Sequence, residues 1–147
     1  MYRLVTAVFN QNERRRLDGF QARCLRRILK VPAAYYSRVS NARILAMAWR
    51  KPLSEHLMRQ QVILMGKIAF SPNTDVVRKS IFMPSSIELR PLPGPAKRGR
   101  PRARWPVQVL DMCIRIAGSY EELLRYWHFD HSSFVTWRSH VRKVILD

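Results

Sequence analysis

Between residues 10 and 31 the apolar side chains Leu17, Phe20, Cys24, Leu25, Ile28 and Leu29 return every three or four positions, the spacing of an amphipathic helix. Asn10 and Glu13, three apart just ahead of that run, make a capping-box pair, and Pro32 stops the helix because it has no amide proton for the ladder. At about 100° per residue, Arg15, Arg16, Arg23, Arg26, Arg27 and Lys30 gather on the arc opposite the apolar side. Ser40 can cap a short helix to about residue 48 that carries Ile44, Leu45 and Met47, after which Arg50, Lys51 and Pro52 form a basic turn. Pro52 or Ser54 then opens a longer helix with Leu53, Leu57, Leu64 and Ile68 as its stripe, broken by Ser71, Pro72 and Asn73. Two helices and a turn are the outline of a DNA-reading helix-turn-helix, but a second helix rich in Gln, Met and Ile is also what simple core packing produces.

A further helical turn is predicted at 75–80, and then the periodicity stops. Pro84, Pro91, Pro93, Pro95 and Pro101 crowd the next stretch, which keeps the backbone extended and partly stiff. Helical spacing resumes at Pro106, suited to a first turn, and continues through Val109, Leu110, Cys113, Ile116 and Ala117 to a stop at Gly118. Ser119 with Glu122 repeats the capping-box signature ahead of Leu123, Leu124, Tyr126 and Trp127. After a turn at 128–133, Phe134, Trp137, Val141, Val144 and Ile145 define a last helix with Arg138, Arg142 and Lys143 on its outer side. The predicted fold class is all-α: two small helical lobes, 1–83 and 105–147, joined by a Pro-rich, basic extended linker at 84–104. No internal repeat and no strand hairpin is visible.

Charge changes what these helices are expected to do. The 147 residues hold 27 Lys and Arg against 10 Asp and Glu, a net charge of +17, so the expected partner is a polyanion. The hydrophobic share of 47% is enough for a packed core, which sets the chain apart from a disordered basic tail. The densest cations lie in the linker, in the run Lys97, Arg98, Gly99, Arg100, Pro101, Arg102, Ala103, Arg104 and Trp105. Gly99 allows close backbone approach, Pro101 holds the chain extended, and the arginines can enter a narrow electronegative minor groove or pair with phosphates, the chemistry of an AT-hook. A nuclear import signal and a plain solvated linker are the alternative readings of the same run.

Other chemistry is thinly represented. Cys24 and Cys113 are too few for a disulfide framework; both sit in apolar-periodic segments and are expected to be buried thiols in a reducing compartment. No run approaches the length of a transmembrane helix, and Met1 to Phe9 lacks the features of a signal peptide; an Arg-rich mitochondrial presequence is the weaker alternative. The expected location is nuclear or cytoplasmic, and not secreted. Cys24, His56 and Cys113 are far apart, and His128 with His131 flank Asp130 in a turn where capping is the simpler role, so no metal ligands are assigned. No phosphate-binding glycine loop, nucleophile elbow or paired aspartates for magnesium are present, so no catalytic residues and no cofactor are assigned.

Four blocks in order carry a resemblance: Phe20 with Arg23, Cys24, Leu25, Arg26, Arg27, Ile28 and Leu29; Ser40-Asn41 with Ile44-Leu45; Leu64 through Ala69; and Arg98 through Arg102 ending in Trp105. Together they resemble the region that follows the polymerase core in LINE-type (non-LTR) retrotransposon reverse transcriptases, over residues 17–117. The resemblance implies a parent polyprotein with endonuclease and RNA-directed DNA polymerase, inserting its RNA by target-primed reverse transcription. The Tyr/Phe-x-Asp-Asp polymerase box, the endonuclease residues and the Cys-rich knuckle of some relatives are absent from this chain. It therefore implies a non-catalytic remnant or truncated reading frame.

The expectation is a basic helical module that binds RNA or DNA through Arg15, Arg16, Arg23, Arg26, Arg27 and Lys30 and through Lys97, Arg98, Gly99, Arg100, Pro101, Arg102 and Arg104. A polymerase domain of the same polyprotein is a possible second partner, and a membrane is not expected. The alternative is a structural fragment whose helices packed on that polymerase and which has no activity of its own.

Overall fold

Residues 5–91, 104–127 and 131–146 are described by the computed structural model. The interval from 92 to 103, which holds Lys97, Arg98, Gly99, Arg100, Pro101 and Arg102, lies outside the described residues, and so does the extended conformation expected of it. The described residues form an all-α fold of eight helices: α1 (Gln11–Ile28), α2 (Ala34–Ser37), α3 (Asn41–Met47), α4 (Leu53–Phe70), α5 (Val76–Ile81), α6 (Trp105–Ala117), α7 (Tyr120–Tyr126) and α8 (His131–Leu146). One antiparallel bridge, Phe82 with Leu89, is the only β pairing among them. Among the described residues no helix is long and apolar enough to cross a membrane.

Packing separates two units, residues 9–58 and the described residues of 5–8 and 59–146, with α4 divided between them after Met58. This division differs from the lobes drawn from composition, because aromatic side chains on either side of the linker pack together: Phe70 meets Phe134 edge to face at 5.7 Å and Phe82 meets Trp127 at 6.3 Å.

In the 9–58 unit, α1 starts at a reciprocal cap. Asn10 Oδ1 accepts from the Glu13 amide at 2.9 Å, and Glu13 Oε2 accepts from the Asn10 amide at 2.7 Å. Ser40 Oγ caps α3 by accepting from the Arg43 amide at 3.2 Å, and Ile44 and Leu45 turn inward. The start of α4 is capped from a distance. Asp18 accepts from both the amide and hydroxyl of Ser54, at 2.8 and 2.7 Å, and Gln21 accepts from the Leu53 amide while donating to Lys51 O. These groups satisfy amides that a helix start leaves without partners.

Those polar ties set the facing of α1 and overturn part of the apolar stripe expected for it. Ala22 and Arg26 are buried, and Leu17, Leu25 and Leu29 are half-buried, but Phe20 and Ile28 are 56% and 74% exposed. Cys24, expected to be a buried thiol, is exposed as well. Residues 18, 21, 22, 25 and 29 share one face, so positions 20, 24 and 28 must share another.

The larger unit has an aromatic core. Trp137 is fully buried and stands edge to face with Trp127 at 5.7 Å, with Val62, Met65, Val109, Cys113, Leu123 and Val141 also buried in the unit. Gly66 makes room for the indole, since a Cβ there would lie 2.5 Å from Trp137 Cδ1 and Nε1. Arg78 is 1% exposed; it donates to Asn73 Oδ1 at 3.0 Å, Ser86 O at 3.2 Å and Ala69 O, and lies over the Phe82 ring. Burial lowers its pKa from the ordinary guanidinium value. At α6, Gly118 takes φ +99° and closes the helix, after which Ser119 Oγ caps α7 through the Glu122 amide.

Candidate nucleic-acid interface

Charge is unevenly used in the 9–58 unit. It holds eleven Lys and Arg against three carboxylates, Glu13, Asp18 and Glu55. All three carboxylates are engaged: Glu13 in the α1 cap, Asp18 in the α4 cap, and Glu55 with Lys51 at 3.3 Å. Among the described residues Arg15, Arg16, Arg23, Arg27 and Lys30 have no ion pair, and all five are exposed. Their mutual repulsion is left for solvent ions or an anionic ligand to relieve.

The helical period brings Arg16, Arg23 and Arg27 onto one strip of α1, beside the outward-facing Phe20, Cys24 and Ile28. An open groove of about 690 Å³ runs along that strip, lined by the three arginines with Gly19, Val31 and Ala34. Lys30 adopts φ +54° in the turn after α1, outside the groove lining. Arg15, expected in the same arc, is exposed but does not line the groove.

Arg26 departs from the expected contact surface. It is 5% exposed and donates to Pro32 O at 3.1 Å, Ser37 Oγ at 3.3 Å, Asn41 Oδ1 at 3.3 Å and Val39 O. Those bonds tie the 29–41 connection to α1, and Arg26 remains among the residues that line the groove. The periodicity of α1 could not separate it from its neighbours, because the partners lie up to 15 residues away and include backbone carbonyls.

Of the second expected cluster, Arg104 is described: it is half-buried, forms the N-cap of α6 and donates through Nη2 to Arg90 O at 3.1 Å. The other members, Lys97 to Arg102, lie outside the described residues. Sequence reading missed α2 and the aromatic side chains around it. Tyr35 and Tyr36 are 85% and 79% exposed and sit edge to face at 5.3 Å. Among the described residues no three His, Cys, Asp or Glu side chains converge as a metal site would require. No protein family, curated protein or solved structure matches the chain.

Proposed function

We propose that the chain is a non-catalytic nucleic-acid-binding module that holds RNA or DNA phosphates on the exposed arginines of α1. The observation that carries this reading is the strip of Arg16, Arg23 and Arg27 along an open groove, in a unit whose carboxylates are all engaged elsewhere. Guanidinium groups suit phosphate because they offer a planar fork of donors and stay charged at every relevant pH. The Lys97 to Arg104 run supplies a second contact in this proposal, and the resemblance to the post-polymerase region of LINE-type reverse transcriptases supports a nucleic acid as the ligand class.

Fluorescence anisotropy with a labelled duplex, at a series of salt concentrations, tests the reading. Each phosphate neutralised on duplex DNA should contribute about 0.9 to the slope of log affinity against log salt. Reversing charge at Arg16, Arg23 and Arg27 together should weaken binding to every sequence and flatten that slope. Affinity that ignores salt, or that survives the triple reversal unchanged, rules the proposal out. The second reading, a fragment that packs on a polymerase domain of the same polyprotein, draws on the exposure of Phe20, Ile28 and Trp49. Salt-independent association with such a domain is its signature.

A further inference from the structure

We infer that the groove beside α1 receives an unpaired nucleobase, so that the ligand of this unit is single-stranded nucleic acid. The inference rests on the nucleic-acid reading and narrows it to one class of ligand. Three features of the groove go beyond what phosphate binding requires. Its lining is mixed: Gly19, Val31, Ala33 and Ala34 supply apolar surface, and the cations lie on α1 alongside. A double helix presents its phosphates outward and keeps its bases stacked, so it has nothing to place on such a surface; a single strand offers both phosphates and base faces.

Gly19 is the second feature. It lies in the middle of an 18-residue helix, where glycine is among the poorest choices, yet a Cβ there would meet no atom within 4 Å. Internal packing therefore does not require a glycine, in contrast to Gly66 against Trp137. What the missing side chain does is keep the groove open. The third feature is the aromatic pair on α2, whose Ala34 lines the groove: Tyr35 and Tyr36 are both largely exposed and present ring faces on which further bases can stack. Arginine planes on the α1 side stack on bases as well as binding phosphate.

The test uses the full chain and four labelled probes: a short single-stranded DNA, the same strand made abasic so that only its phosphates remain, the duplex of that sequence, and the single strand as RNA. Base contacts of this kind should make an intact single strand, DNA or RNA, bind on the order of tenfold tighter than the abasic strand at one salt concentration. Gly19→Leu fills the groove with a better helix former, so the thermal midpoint should hold or rise while the preference over the abasic strand falls. Tyr35→Ala with Tyr36→Ala should reduce the same preference and leave the salt slope intact. Equal binding of all four probes with a steep salt slope overturns the inference and leaves phosphate binding standing. Failure of every probe to bind overturns both. If Gly19→Leu keeps the full preference for intact strands, the bases do not enter the groove and the inference fails on that ground alone.

Discussion

Two glycines in helix interiors, Gly19 and Gly66, look alike in the chain and do different things. Gly66 in α4 is filled from outside by the Trp137 indole, so Gly66→Ala must push the ring or the helix aside and should destabilise the protein by about 1–3 kcal/mol in a chemical denaturation series. A shift of the denaturation midpoint at unchanged slope is the expected result; no shift would mean that α8 does not seat its indole there. The two cysteines also separate. Burial pushes the Cys113 thiol well above its ordinary pKa, which leaves essentially no thiolate at neutral pH, whereas Cys24 is exposed on α1. One thiol per folded chain should react quickly with a disulfide reagent, and the second only on unfolding; Cys24→Ser should remove the fast phase. Neither contrast was legible from apolar spacing, since both residues of each pair occupy similar patterns and what distinguishes them is a partner far away in the chain.

Helix ends were more readable than helix faces. The caps at Asn10, Ser40 and Ser119 and the glycine stop at Gly118 each involve groups within four residues, and each occurs at the expected place. The whole of α4 was foreseen within a residue or two, although its start is held by Asp18 and Gln21, more than thirty residues upstream. The same long-range ties explain the error on α1: polar groups choose its inward face, and Phe20, Cys24 and Ile28 are left outside. The four-residue α2 was missed because it has no periodicity of its own and no side-chain cap. Caps of these two kinds can be compared directly. Ser40→Ala removes one local bond and should cost about 1 kcal/mol. Asp18→Ala removes two bonds that tie α1 to α4 and should cost more, by thermal melting, than Ser40→Ala. Equal losses would show that the long-range cap is no more than a local one.

Over the full length, the arrangement of charge matters more than its total. A net charge of +17 spread evenly would give only weak, unselective attraction, but α1 gathers three arginines along one groove and the 97–104 run adds five cations in eight residues. The two clusters should behave differently toward duplex DNA. On the proposed reading the arginines of α1 contact phosphates, which carry no sequence information, whereas the Arg-Gly-Arg-Pro sequence has the residue types that suit a narrow minor groove with enhanced negative potential. The minor groove distinguishes A·T from G·C and little else, so any preference should be small and should follow A·T content. The deciding comparison sets Arg100→Ala with Arg102→Ala against the unaltered chain, on A·T-tract and G·C duplexes at a single salt concentration. A loss confined mainly to the A·T tract is the expected outcome. Equal losses on both would reduce the run to another phosphate contact, and no loss on either would leave α1 as the cluster that holds the duplex.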